Sequence, residues 1–348
     1  MSSSSMLASV LVAPATVQLE RRDVPTPGPG QVLVRVTAVG CCGSDTHFFE
    51  TGRVGDIVVD GPIVLGHETA GEISAVGEGV DPARIGQRVA LEPQRPCRRC
   101  GPCKTGSYHL CHDMEFYGAY PIDGSFAEFV LIDDDFAHAI PDTMTDEEGA
   151  LVEPLSVAVH AARRAGITSG SKVLITGAGP IGVMCAEAAR AFGATEIVVS
   201  DPMAHRRDVV ARHGATETID PTTDDLSRFD RHFDVYLDAS GSARAIQPSF
   251  ALIRPGGAAV LVGMGNIDLE VPISLIQHRE ITVTGTFRYV NTWPTAIDLM
   301  TSGRVRVADL VTGRYGLEVV GEALLRGHTD PTAIKTMIIP SLTIENTA

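Results

Sequence analysis

The sequence predicts an α/β protein built in two parts, a mainly β domain followed by a doubly wound parallel sheet. Three observations carry this reading. At 348 residues the chain exceeds the roughly 250–300 at which a single hydrophobic core usually divides. From residue 7 to about 153, short alternating strands are broken by glycine and proline. After Pro154 the texture changes to strands that alternate with helices, the pattern of a parallel sheet.

In the first part, Gln31-Val-Leu-Val-Arg-Val-Thr-Ala-Val39 alternates every second residue, as does Ile73-Ser-Ala-Val, with turns such as Pro27-Gly-Pro-Gly30 between strands. In the second, Lys172-Val-Leu-Ile-Thr176 reads as a buried strand, and 181–192 is alanine-rich and helical. A strand at Glu196-Ile-Val-Val-Ser200 and a helix over 204–213 follow, then strands at 233–238, 258–263 and 281–286. The alternation ends near 288, so the tail is expected to pack back on the first domain. The expected division is 1–156, including a cysteine lobe at 95–113, then 157–287, then a return segment 288–348 that completes the first domain.

Composition narrows the function. Hydrophobic residues make up 44% and charged residues 20%, as in ordinary globular proteins, while a net charge of −15 argues against nucleic-acid or anionic-membrane partners. No apolar run approaches the roughly 18 residues of a membrane span. The opening Met-Ser-Ser-Ser-Ser-Met lacks the basic and apolar regions of a signal peptide, and seven cysteines fit a reducing cytoplasm holding thiolate ligands better than a disulfide framework.

Four of those cysteines are diagnostic. Cys97-Arg-Arg-Cys100-Gly-Pro-Cys103, with Cys111 after seven intervening residues, has the spacing of a closed tetrahedral zinc site. Four thiolates complete the coordination sphere and leave no open position, so this zinc is structural and catalysis belongs elsewhere. Cys41 and Cys185 stand outside the motif and read as small buried thiols.

Gly177-Ala-Gly179-Pro180-Ile181-Gly182 lies directly after a strand and before a helix. In that context the first glycine makes the turn, the second admits a pyrophosphate, and the third allows close helix packing, the fingerprint of a Rossmann unit. Asp201 stands 19 residues after Gly182, near the spacing of a ribose-binding acid, and its charge repels a 2′-phosphate. NAD is therefore expected over NADP. Arg206 is close enough to temper that preference, or lies on the solvated face of its helix.

A second, open metal site could come from Cys42, His67, Glu68 and Glu153. A catalytic zinc needs three protein ligands and one exchangeable position, and two anionic donors would offset the ion's charge. Spacing alone leaves this open, since lone Cys, His and Glu residues also serve as core or surface groups.

The chain resembles zinc-dependent medium-chain dehydrogenases over nearly its whole length, and within them the sorbitol/xylitol (polyol) dehydrogenase branch. The resemblance rests on Val39-Gly-Cys-Cys42-Gly-Ser-Asp-Thr-His47, Val64-Leu-Gly-His67-Glu68, Glu148-Gly-Ala-Leu-Val-Glu153-Pro-Leu-Ser-Val157 and Thr286-Phe-Arg-Tyr-Val-Asn-Thr-Trp293, together with the lobe and the glycine motif. It implies a GroES-like catalytic domain, a Rossmann domain and an active site in the cleft between them. It implies Cys42, His67 and Glu68 as catalytic-zinc ligands, with Glu153 holding a water or ligating transiently. Ser44 and His47 resemble the relay that carries the alcohol proton to solvent, and Arg288 and Tyr289 resemble polyol-binding residues. Two zinc ions per subunit, NAD, a small polyol substrate and a homo-oligomer (a tetramer, otherwise a dimer) follow from the same resemblance.

Two departures are visible. Phe48 stands where sorbitol dehydrogenases often carry a tyrosine, which removes one hydrogen bond to a polyol. Animal members often lack the four-cysteine lobe that microbial relatives keep. Two alternatives remain at this point: an amino-alcohol dehydrogenase like the threonine enzymes of the superfamily, and an NAD-binding relative without turnover.

Overall fold

The computed structural model describes residues 5–264 and 269–342. The chain divides into two compact units, Met1–Glu153 with Ala308–Ala348, and Pro154–Val307. Both boundaries differ from the expected ones. The first falls within the helix Asp146–Ala165, at Pro154, which has no N–H to continue the helical ladder. The second falls at 307/308 rather than at 288. Segment 288–307 stays with the second unit because Arg163 bonds Asn291 O and Thr295 Oγ1, both at 2.8 Å, and because the helix Trp293–Thr301 buries Trp293, Ala296 and Leu299.

In the first unit, the strand Gln31–Gly40 is central. It pairs antiparallel with Glu68–Val76, with Phe129–Asp133 and with the late strand Lys335–Ile338. Its inward residues Val32, Val34, Val36 and Val39 enter a core with Leu11, Ile73, Leu91 and Phe126. The register opposes Gly40 to Glu68 on one side and to Met337 on the other. The return segment thus delivers Lys335 next to Glu68.

The second unit contains a six-stranded parallel sheet. Its spatial order is Glu217–Ile219, Glu196–Ser200, Lys172–Thr176, Phe233–Asp238, Ile253–Leu261 and Thr282–Gly285. Central strands such as Lys172–Thr176 are apolar on both faces, as covered parallel strands must be. The short strand Glu217–Ile219 carries no apolar run, which is why the sequence reading passed over it. Ala186, Ala188 and Ala189 of the helix Pro180–Ala191 lie buried, so its backbone approaches the sheet closely. No helix among the described residues is long and apolar enough to cross a membrane.

Candidate active site and metal centres

Cys42 caps the helix Gly43–Thr51, and His67 and Glu68 enter the strand Glu68–Val76. Their donor atoms lie within 4.8 Å of one another, and His67 and Glu68 are buried. A thiolate, an imidazole and a carboxylate converging on one point match the three-ligand, one-open-position set of a catalytic zinc. Glu153 is also buried, but its carboxylate does not join this cluster.

Two residues that the sequence reading did not single out hold the cluster in place. Asp45, fully buried, accepts hydrogen bonds from Cys42 N at 3.0 Å and Gly66 N at 3.1 Å, and its Oδ1 lies 3.4 Å from His67 Nδ1. Burial alone disfavours a charged His67, but the Asp45 carboxylate outweighs it and raises the imidazolium pKa well above its ordinary value. A carboxylate on Nδ1 leaves Nε2 as the lone-pair donor for a metal.

Lys335 is the second. Its Nζ lies 2.6 Å from both Glu68 carboxylate oxygens and donates to Cys41 O at 2.8 Å. Burial would lower this ammonium's pKa; Glu68 overrides it and raises the pKa. The anions Cys42, Glu68 and Asp45 are balanced by one ammonium and a divalent cation, so zinc fits the charge of the site. Gly40 makes the contact sterically possible, because a Cβ there would stand 2.0 Å from Glu68 Oε2.

Asp45 lies inside a recognisable motif and forms the N3 half of a capping box with Cys42, a signal the sequence carried. Lys335 is 267 positions from Glu68 and had no local signal. Phe116, whose ring centroid sits 5.4 Å from that of His67, was likewise invisible before the fold was known.

Ser44 and His47 stand three residues apart on the helix Gly43–Thr51, Ser44 half-buried and His47 exposed. Phe48 is buried in the core of the first unit beside Phe49 rather than at an open surface. Tyr289 is fully buried and meets Trp293 edge-on at 4.5 Å. Arg288 adopts φ 54° and lies over the ring of Phe287 at 4.6 Å.

In the lobe, the four sulfurs of Cys97, Cys100, Cys103 and Cys111 lie within 4.8 Å of one another. The Cys100–Cys103 and Cys100–Cys111 separations are 3.4 and 3.8 Å, close to the about 3.8 Å edge of a tetrahedron with 2.3 Å Zn–S bonds. The Cys103 backbone N–H pulls the Cys100 thiol down to about 6, while burial pushes Cys103 up to about 12. A cation is what lets all four sulfurs ionise together. The lobe docks through Tyr108 Oη, which donates to the buried Glu92 at 2.7 Å, and through Arg98, which pairs with Asp135 at 2.6 Å.

In the second unit the glycine turn behaves as its spacing requires. Gly177 has φ 90°, and a Cβ on Gly182 would stand 1.8 Å from Gly177 O. Gly179 faces open space instead, as a residue that admits a phosphate should, and it caps a helix that starts with Pro180 and Ile181. The buried Asp201 accepts from Ala178 N and from Met203 N, both at 2.8 Å, which fixes the carboxylate beside the turn. Arg206 is half-buried, whereas Arg207 bonds Asp201 O at 2.7 Å and pairs with Asp220 at 3.1 Å. Cys185 is buried as expected, but Cys41 is only half-buried.

Comparison with known proteins gives a consistent picture. Residues 28–142 match the model of the alcohol dehydrogenase GroES-like domain, and residues 180–302 match that of the zinc-binding dehydrogenases. The chain is 40% identical over 347 residues to a sorbitol dehydrogenase of Bacillus subtilis (strain 168), covering 97% of this chain and 98% of that one. It is 42% identical over 319 residues to a probable D-xylulose reductase A of Neosartorya fischeri, covering 88% and 89%. Among solved structures it resembles L-idonate 5-dehydrogenase from Escherichia coli K-12, with a TM-score of 0.90, 31% identity and coverage of 97% and 98%.

Proposed function

The chain belongs to the zinc-binding dehydrogenases with an alcohol dehydrogenase GroES-like domain, and from that premise we propose that it oxidises a sorbitol- or xylitol-like polyol to a ketose, with NAD as acceptor. The observation that carries the reading is the convergence of Cys42, His67 and Glu68 in a chain 40% identical to a sorbitol dehydrogenase. When bound, the zinc supplies a Lewis acid that lowers the pKa of an alcohol, and NAD supplies the hydride acceptor.

The chain's own residues supply the rest. Cys42, His67 and Glu68 hold the metal with one position open, and Glu153 orients a water there. Ser44 accepts the alcohol proton as it passes its own on toward His47, which is exposed one helical turn on and hands a proton to solvent. Asp201 retains acceptor capacity for ribose hydroxyls and disfavours a 2′-phosphate. Arg288 offers donors to hydroxyls further along the polyol, while the buried Tyr289 backs that segment by packing on Trp293 rather than by direct contact. Phe48, a core ring, offers the polyol no hydroxyl, which favours tolerance among sugar alcohols.

The enzyme is a homo-oligomer in this reading, a tetramer or otherwise a dimer. Thr282–Gly285 is an edge strand with Val283 exposed and Phe287 exposed just beyond it, a margin that needs covering. Free cysteines throughout the described residues support a reducing compartment such as the cytoplasm.

The test is turnover with NAD on sorbitol, xylitol and 2-butanol, comparing wild type with Arg288→Ala. A loss confined to the polyols is expected. Equal loss on all three would assign Arg288 to the fold, and no activity on any polyol would overturn the substrate class.

A further inference from the structure

Asp238 ends the strand Phe233–Asp238, one of the two central strands of the parallel sheet, and has no exposed surface. Its described carboxylate partners are neutral donors. Oδ1 accepts from Thr176 Oγ1 at 3.0 Å, from Ser240 N at 3.0 Å and from Ser240 Oγ at 2.7 Å; Oδ2 accepts from Gly241 N at 3.2 Å. Its carbonyl oxygen accepts from both Val262 N and Gly263 N at 2.8 Å. A carboxylate so buried is tolerated only where such donors satisfy it, and each lost partner leaves the others strained or unpaired.

These partners come from three separate loops. Thr176 directly precedes Gly177, Ser240 and Gly241 follow Asp238 itself, and Val262 and Gly263 follow the strand Ile253–Leu261. All three leave the carboxyl ends of adjacent parallel strands, the edge at which such sheets take their ligands. The loops touch with no slack. A Cβ on Gly177 would stand 2.9 Å from Ala239 O, one on Gly241 2.8 Å from Met264 O, and one on Gly263 2.3 Å from Gly241 N. Ala239 N also donates to Thr176 O at 2.8 Å.

We infer that Asp238 is a positioning residue for the dinucleotide: it locks the Gly177–Gly182 turn to the two neighbouring loops, so that the open face at Gly179 is preformed, without itself touching the cofactor. This rests on the glycine turn being the NAD site. Holding the turn in its bound geometry removes an ordering cost that the cofactor's binding energy would otherwise have to offset.

Tyr236 provides the control, since its fully buried hydroxyl meets Thr176 Oγ1 at 2.9 Å but, unlike Asp238, does not tie Thr176 to Ser240, Gly241, Val262 or Gly263. The experiment titrates NADH into the zinc-loaded wild type, Asp238→Asn, Ser240→Ala and Tyr236→Phe, following fluorescence, with melting temperature and zinc content alongside. Asp238→Asn places an amide N–H where Gly241 N must donate; Ser240→Ala deletes the 2.7 Å contact and, with it, the bond at 3.1 Å that Ser242 N donates to Ser240 Oγ within the same loop. Both are expected to weaken NADH binding on the order of tenfold, and to raise KM for NAD more than KM for the polyol. Tyr236→Phe should bind NADH as wild type does. If Asp238→Asn does not fold, Ser240→Ala decides the matter. Wild-type affinity in the folded variants, or an equal loss in Tyr236→Phe, would overturn the positioning role. A wild type that binds no NADH would instead overturn the dinucleotide reading beneath it.

Discussion

Lys335 is the residue on which the charge balance of the catalytic site turns. Paired with Glu68 at 2.6 Å, and with both side chains under 5% exposed, it is the ammonium that makes a buried carboxylate tolerable. Lys335→Met keeps the stem and removes the charge. Breaking such a pair from one side costs about 3–5 kcal/mol, because the remaining charge is left uncompensated. A bound zinc supplies part of that compensation. The variant should therefore lose more melting temperature after chelation than before it, and calorimetry of both forms checks this; equal losses would remove Lys335 from the site's electrostatics. Asp201 decides a different quantity. Asp201→Ala should narrow the preference for NAD over NADP by removing ribose acceptors and a repulsion together. Steady-state kinetics with both cofactors would refute the assignment if the wild type used them equally.

At the scale of elements, two devices depend on glycine and cysteine rather than on apolar burial. The helix Pro180–Ala191 can start where it does only because Gly182 has no side chain against Gly177 O. Gly182→Ala must push turn and helix apart, an overpacking expected to cost about 3 kcal/mol. NADH affinity should fall with it, measurable by denaturant unfolding and by titration; a variant with native stability and affinity would contradict the tight packing. The lobe has little core of its own: Cys97, Cys100 and Cys103 are half-buried, and the helix Gly101–Lys104 buries no residue. Its stability must come from metal and from docking through Tyr108 and Arg98. Cys100→Ser should therefore lower the melting temperature of the whole protein while leaving KM for the polyol unchanged in the fraction that stays folded. A variant that melts like wild type would show that the lobe does not need its metal.

For the whole molecule, the prediction is two zinc ions per subunit with unequal exchange. The lobe's four thiolates would enclose an ion, whereas the three donors of the Cys42 site would leave one exchangeable position. Mild chelation should remove one zinc together with activity and leave the other in place. Metal analysis that finds a single zinc, or full activity after the open site is emptied, would contradict the assignment. If the proposed oligomer covers the edge at Thr282–Gly285, sedimentation should give a particle larger than the 36.8 kDa chain, and a particle of 36.8 kDa would contradict it.

Much of this was legible in the chain before folding, because the chemistry is written at short range. A four-thiolate site needs ligands a turn apart, a phosphate-binding turn needs three glycines within six residues, and buried parallel strands need continuous apolar runs; each leaves a local trace. Cys42, His67 and Glu68 were readable as candidate ligands, but only the strand register gathers them, since Glu68 opposes Gly40 two residues from Cys42. Tertiary structure alone decided the rest. Lys335 reaches Glu68 because Lys335–Ile338 pairs with Gln31–Gly40 across most of the chain's length. Segment 288–307 belongs to the second unit because Arg163 and a buried tryptophan hold it there, and Tyr289 is packed rather than presented. Asp238 ties three loops that no spacing connects. Contacts of that kind depend on where distant strands end, and a one-dimensional pattern carries no record of them.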